Sequence, residues 1–437
     1  MKKTVVIGAS HSGQMVASEI KRFDPDHEVV LIEKEKNVPF IASGINLVLK
    51  NKIHDLSDAI APLVDLDKIG VKSFFGYEVV EINWDKKTIR YTNGKGLQEG
   101  DYTNLVLATG SKQYLPRQYM NVKNIYSYKS FSESLDVLKV LENANTIAIS
   151  GTGYVGVELG EVLTQLNKQV SIIGPTKNLI QEYYDQEISD CIKHKFTNYG
   201  TSLFLENQIM DINEENNRLN LQLLEGSVAC DVLIMANNSR PNSELYWNGL
   251  RISQDKTVEV NQYLQTNQPQ VYAIGDLIAL PNLLTKNKTR LSLITEARQT
   301  ARIAALNIVG KKTVMPKQLN ISTTQLFGLY FGSVGLTKEK LEQSNIAYKT
   351  IRVGNLSSFE KIQISLHVDF KDRIVGVQIV SEKNIQTLLD LLEIVIRSGW
   401  KMEELYSNNT SFFPMSPSFT SVLHEAAACY LAQIREE

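Results

Sequence analysis

Short apolar runs end in glycine turns at the start of this chain, and helix-period stretches separate them. Thr4–Ile7 forms an apolar strand that runs straight into Gly8. A helical pattern follows to about Phe23, and a second strand is expected at Glu28–Glu33. Strand, glycine turn, helix and strand in that order make one β-turn-α-β unit. Between residues 71 and 107 several short β-rich runs predict a small antiparallel element and a return strand.

The same grammar recurs. Thr146–Ser150 reads as a strand, Gly151–Gly156 as a turn, Val157–Asn167 as a helix and Gln169–Ile173 as a strand. Gly151 lies 143 residues after Gly8, a spacing that suits a duplicated domain and not a short solenoid repeat. Past about Gly310 the pattern changes to polar strands and then helices at 384–398 and 421–434, which predicts a separate α+β domain.

Composition narrows the class. The 437 residues imply two to four domains. A net charge of −2 gives no basic footprint for nucleic acid. No apolar run approaches the ~20 residues needed to span a bilayer, and the N-terminus does not read as a signal peptide. Three scattered cysteines, Cys191, Cys230 and Cys429, form no C-x-x-C and no secreted disulfide framework, and the six histidines show no metal-ligand spacing. The expected compartment is the cytoplasm.

The first turn, Gly8-Ala9-Ser10-His11-Ser12-Gly13, matches the dinucleotide fingerprint except for Ser10 at the middle glycine. That position lets backbone amides approach a pyrophosphate at a helix N-terminus. Glu33 ends the next strand, where a carboxylate accepts hydrogen bonds from a ribose. The bland reading is a glycine turn that only packs a helix on a strand. Gly151-Thr152-Gly153-Tyr154-Val155-Gly156 is a full match, but its second strand ends at Gly174 and not at an acid. The missing carboxylate removes the preference for a free 2′-hydroxyl, and Lys177 either contacts a 2′-phosphate or is a solvated loop lysine. Ala108-Thr109-Gly110 and Gly275-Asp276 each follow an apolar strand, and an aspartate so placed can hold the ribityl or phosphate end of FAD.

With these segments the chain resembles the flavin-dependent pyridine nucleotide-disulfide oxidoreductases, in the branch of NADH oxidases, NADH peroxidases and coenzyme A-disulfide reductases. The resemblance runs through Gly8–Gly13, Glu33-Lys34, Pro39–Gly44, Ala108–Gly110, Gly151–Glu158, Tyr183–Asp185, Arg240–Asn242, Val271–Asp276 and Phe412–Pro417. It implies an α/β fold with two Rossmann-like domains, for FAD and NAD(P), and a C-terminal α+β dimerisation domain. The expected boundaries are 1–118 and 244–312 for the FAD domain, 119–243 for the NAD(P) domain and 313–437 for the last. It also implies a homodimer, in which Phe412–Pro417 faces the other subunit's flavin. Lys34, Tyr154 and Glu158 join the cofactor-binding set: Tyr154 either covers the flavin or only packs in the turn, and Glu158 either lies near the flavin or is a solvated helix acid. Lys21 and Arg22 either resemble a coenzyme A-contacting pair or are ordinary surface basic residues.

Three departures stand out. Ser43 occupies the position of the family's redox cysteine, and a hydroxyl cannot enter the sulfur oxidation ladder. Gly174 lacks the acid, and Asn238 stands where the family usually has glycine. His11 either moves a proton near the flavin or only packs there. The expectation is an NAD(P)H oxidase using FAD, stopping at hydrogen peroxide, with His11 and Ser43 at the reacting centre. An electron-transfer reductase serving another small acceptor, and an FAD-binding protein without turnover, are the alternatives.

Overall fold

The computed structural model describes residues 2–237, 239–290, 292–356, 361–409 and 420–434. Asn238 and the Phe412–Pro417 segment lie outside these residues. The chain divides into two compact units. One comprises Met1–Ala144, Met235–Leu280 and Lys288–Pro316; the other comprises Asn145–Ile234, Pro281–Asn287 and Lys317–Glu437.

The first unit is built on a parallel sheet in the order Val271–Ala273, Asn104–Leu107, Lys3–Ile7, Glu28–Glu33, Val71–Phe75. Each neighbouring pair is parallel. Its central strands are near-continuous apolar runs because helices cover both faces of such a sheet. Val5, Val6, Leu31, Leu105 and Val106 are all buried in one core with Val16 and Ile20 of the helix His11–Phe23 and Ala301, Ala304 and Ala305 of the helix Ile294–Ile308. The antiparallel element expected after residue 71 is the three-stranded sheet Glu78–Asn83, Thr88–Thr92, Leu97–Asp101.

The second unit repeats the plan. Its sheet orders Ser202–Phe204, Gln169–Ile173, Thr146–Ser150 and Val232–Met235, with the first three paired in parallel. The helix after the second glycine turn spans Tyr154–Gln165, not Val157–Asn167. Gly153 is its N-cap, so the free N–H groups of the first turn point out of the fingerprint itself. An antiparallel sheet of five strands follows, ordered Ile321–Leu326, Leu329–Gly335, Ile374–Ser381, Ile362–Asp369, Tyr348–Asn355. All eight residues of its central strand, Ile374–Ser381, are buried. Helix Gln386–Ser398 lays Leu388, Leu389, Leu392, Val395 and Ile396 into that sheet's core. The architecture is therefore α/β with two Rossmann-like parallel sheets and an antiparallel α+β region.

Candidate functional site

In the first unit the sheet brings the first glycine turn against Ala108. Gly8 has φ +102°, and a Cβ built there meets the Ala108 carbonyl oxygen at 2.3 Å. Only glycine satisfies both constraints. A Cβ on Gly13 would lie 1.8 Å from the Gly8 oxygen, so this residue sets how closely the helix approaches the turn. Ser10 caps the helix in extended geometry but makes no side-chain cap hydrogen bond. Its hydroxyl therefore does not compete for the helix N-terminus.

Glu33 comes to the turn as expected from its place at the strand end. Its carboxylate accepts from the Ala9 N–H at 2.7 Å and the Glu35 N–H at 2.9 Å. Lys34, beside it, is exposed. The Ala108-Thr109-Gly110 corner is tied to Arg240-Pro241-Asn242. The Asn242 N–H donates to Gly110 at 2.9 Å, its amide donates to the Thr109 carbonyl at 2.9 Å, and the Thr109 hydroxyl donates back to the Asn242 carbonyl at 2.9 Å. The Arg240 guanidinium lies 3.7 Å over the Tyr114 ring. Of the coenzyme A-type pair, Lys21 donates to the backbone carbonyls of Pro25 and His27, and Arg22 pairs with Glu19 at 3.3 Å.

Asp276 follows Gly275, whose φ is +66° and whose N–H donates to the Thr300 hydroxyl at 3.0 Å. The Asp276 carboxylate accepts from the Ser111 hydroxyl at 2.5 Å and pairs with Lys129 at 3.1 Å; Lys129 also donates to Ser111. Sequence reasoning did not single out Ser111 or Lys129. Lys129 lies 147 residues before Asp276, so no local spacing links them.

His11 is 8% exposed. Burial, then the Arg298 charge, hold its imidazole below the ordinary value, against smaller opposing effects from the Phe40 backbone and Asp276. The ring is therefore neutral at pH 7. Its Nδ1 has no hydrogen-bond partner, and neither have the buried Gln14 Oε1, Asn46 Oδ1 and Arg298 Nε. Buried polar atoms without partners in a well-packed core point to a polar ligand. Together with the close approach at Gly8, these orphans fit FAD in the first unit. Ser43 is exposed at the start of the short helix Gly44–Leu49 and makes no cap hydrogen bond.

No motif in the sequence marks Glu296. It is 7% exposed in the first turn of the helix Ile294–Ile308, with the Thr295 hydroxyl 2.8 Å from its carboxylate. Burial, and to a lesser degree Asp276, raise its carboxyl above the ordinary value. A raised folded-state value contributes stability in full below the unfolded carboxyl value and loses it as pH rises through the folded one. Glu296→Gln is therefore expected to melt about 2 °C or more above the parent at pH 8, with the difference shrinking towards pH 4. A melting difference independent of pH would contradict this.

In the second unit Gly151 has φ +142°, and a Cβ on Gly156 would lie 2.1 Å from the Gly151 oxygen. Gly153 differs: its φ is −82°, and a Cβ there meets nothing within 4 Å. A helix N-terminus beneath a glycine with clear space above it leaves room for a ligand's phosphate. The absent acid at 174 has a steric reason, because a Cβ there would lie 2.6 Å from Thr152 Cγ2. The Thr152 hydroxyl is fixed by that of Thr176 at 2.7 Å. Lys177 is exposed at this corner, and Lys193 donates to Asn178 at 2.7 Å. The Glu158 carboxylate accepts from the Thr324 hydroxyl at 2.7 Å.

Two of the three cysteines are held as thiols. Burial raises the Cys191 thiol and pushes Cys230 up to about 12, so both are protonated at neutral pH. Cys429 is exposed on the helix Thr420–Ile434. Among the described residues no helix is long and apolar enough to cross a membrane, and no three His, Cys, Asp or Glu are placed to hold a metal ion.

Two glycine turns, each at a strand end of its own parallel sheet, are the deciding geometry. The family model for pyridine nucleotide-disulphide oxidoreductases matches residues 2–301. The chain belongs to this family. As a member it is an FAD-dependent oxidoreductase acting on NAD(P)H. An NADH oxidase of Enterococcus faecalis is 26% identical over 428 residues, which cover 94% of this chain and 95% of that protein. The water-forming NADH oxidase of Lactobacillus brevis, solved with NADH, superposes with TM-score 0.92 at 22% identity, covering 100% of this chain and 99% of the other. An engineered water-forming NADPH oxidase made from that enzyme, solved with NADPH, gives TM-score 0.91 at 22% identity, with 99% of each chain covered. In this oxidoreductase family the match extends over both glycine turns, Ser43 and Asp276.

Proposed function

We propose that this protein is an NAD(P)H oxidase that reduces dioxygen to hydrogen peroxide: NAD(P)H, one proton and O2 give NAD(P)+ and H2O2. The observation carrying this reading is Ser43, exposed and without a side-chain cap hydrogen bond, at the position where the family resemblance expects a redox cysteine. Water formation needs two further electrons, which a cysteine delivers by cycling through its sulfenic acid and a serine cannot.

Bound FAD supplies the electron chemistry that joins the hydride donor to oxygen. Around it, Gly8, Ser10 and Gly13 present the helix N-terminus to its pyrophosphate, and Glu33 and Lys34 stand at its ribose. Ala108, Thr109, Gly110, Gly275 and Asp276 complete the binding surface. Asp276 is held in place by Ser111 and Lys129. His11 is neutral, so its free Nδ1 can hold or accept a proton there. The Ser43 hydroxyl supplies at most a hydrogen bond.

In the second unit Gly151, Gly153 and Gly156 cradle NAD(P)H, with Tyr154 and Glu158 in the following helix turn. Gly174 leaves no carboxylate to repel a 2′-phosphate, and Lys177 is free in space to meet one. The engineered NADPH-using relative, made by substitutions that include an aspartate replaced by alanine, follows the same logic. Lys177→Ala is expected to weaken NADPH about 3- to 10-fold and NADH little. Anaerobic titration of the flavin absorbance with each nucleotide checks this, and a strict NADH preference in the parent would contradict it.

A cytosolic homodimer completes the reading. The free cysteines favour a reducing compartment. Leu391 and Ile394, one helical turn apart and exposed on Gln386–Ser398, favour a further contact of the C-terminal region.

A further inference from the structure

Asp185 is the N-cap of the helix Gln186–Asn198, yet its side chain does not cap that helix. An aspartate there ordinarily accepts from its own helix. Instead its two oxygens leave for other elements. Oδ1 accepts from the Lys338 N–H at 2.8 Å, and Oδ2 lies 2.9 Å from His367 Nε2. The Asp185 N–H donates to Gln378 Oε1 at 2.8 Å. His367 is fully buried in the strand Ile362–Asp369, and its Nδ1 lies 3.0 Å from the Thr350 hydroxyl. An ionised carboxylate only accepts, so Nε2 carries the hydrogen and donates to Asp185. One strand, through His367, and the N-terminus of the helix Lys338–Gln343 thus meet on the carboxylate, while Gln378 of a neighbouring strand holds the Asp185 N–H.

The residue before it continues the chain of contacts. Tyr184 is 1% exposed, packed edge-on against Phe331, and its hydroxyl is hydrogen-bonded to that of Tyr154 at 2.9 Å. The Tyr154 hydroxyl also meets Ser322 at 2.7 Å, and its ring lies 4.9 Å from that of Tyr183. Tyr154 is the first residue of the helix that the Gly153 cradle opens. A buried ion-type pair contributes little net stability against an apolar replacement, so energy alone does not account for this one. Its geometric product is a fixed Tyr183–Asp185 segment behind the second glycine turn.

We propose that His367, Asp185 and Tyr184 are positioning residues for NAD(P)H. His367 and Asp185 pin the Tyr183–Asp185 segment to the antiparallel sheet, and the Tyr184 hydroxyl then holds Tyr154, and with it the N-terminal turn of the nucleotide helix. This rests on the reading that Gly151–Gly156 binds NAD(P)H. None of the three touches the nucleotide; they act through Tyr154. Burial works to raise the Asp185 carboxyl, but the His367 ring and the Lys338 N–H outweigh it and keep the group below its ordinary value, hence ionised and bonded at neutral pH.

The test uses the full-length flavin-loaded protein and measures the equilibrium dissociation constant of NADPH and of NADH anaerobically, beside steady-state KM and kcat. Tyr184→Phe keeps the ring and removes one hydroxyl, so it folds. It is expected to weaken nucleotide binding and raise KM by about 2- to 10-fold, the span of one net hydrogen bond, with kcat changed less. His367→Leu is expected to do the same, and His367→Gln, which keeps a donor to Asp185, to recover most of the loss. Tyr184→Phe combined with His367→Leu is expected to lose less than the product of the two, because they act along one chain of contacts. Unchanged nucleotide affinity in Tyr184→Phe and His367→Leu, or equal losses in His367→Leu and His367→Gln, would overturn the proposal. Failure of the parent itself to bind either nucleotide would remove the nucleotide-site reading first, and this proposal with it.

Discussion

Gly8→Ala is expected to yield a protein that purifies without FAD. The substitution meets two obstacles at once. A φ of +102° is strained for any side chain, at a cost of about 1–3 kcal/mol. The new Cβ would also stand 2.3 Å from the Ala108 carbonyl oxygen and 2.6 Å from its carbon. Those are backbone atoms just past the strand Asn104–Leu107, so no rotamer change relieves the overlap. Either the turn moves off Ala108 or the strand does, and each movement displaces the helix N-terminus from the pyrophosphate. The flavin absorbance per chain is expected to fall more than about 10-fold, since one backbone shift removes several amide contacts together. Full flavin content with an unchanged melting point would show that the turn does not carry the cofactor.

Gly153→Val is expected to leave the fold intact and abolish effective use of NAD(P)H. The position has φ −82° and ψ −177°, which valine adopts readily, and a Cβ there meets nothing within 4 Å. The melting point is expected to stay within the small range of exposed substitutions, about 0.5 kcal/mol. The branched side chain nevertheless fills the cradle above the helix N-terminus, so KM for NADH and NADPH is expected to rise at least about 10-fold. FAD content should be unchanged. The pair of variants separates the two glycine roles: the first is tight against its own backbone, and the other leaves room for a ligand. Nucleotide binding at the parent level in Gly153→Val would place the dinucleotide elsewhere.

Both Rossmann-like units were legible because their signals are local. Thr4–Ile7 and Thr146–Ser150 are apolar strands that end in glycines at fixed spacing, and Glu33 sits at a strand end. What the chain concealed depends on long-range packing. Ser111, Lys129 and Asp276 meet only when the sheet brings three distant segments together. Asp185 and His367 are 182 residues apart and belong to different sheets' surroundings. The helix Phe131–Asn143 was not assigned, because it buries only Ser134, Val137 and Leu141 and leaves a weak apolar stripe, although Ser130 and Glu133 form a capping box. Gly174 reads in the sequence as a lost acid; its cause, the Thr152 side chain, lies in the packing. The helix begins three residues before its apolar pattern does, because Tyr154 and Gly156 read as part of the turn.

Oxygen reduction is expected to stop at peroxide because residue 43 is serine. The direct test reduces the flavin with NADPH or NADH without air, admits oxygen and counts hydrogen peroxide against nucleotide oxidised, with catalase added in a parallel run. One peroxide per NAD(P)H, with half the oxygen returned by catalase, is the predicted result. Water as the product, with two NAD(P)H consumed per O2 and no catalase effect, would contradict the account and require an electron store other than a sulfur at position 43.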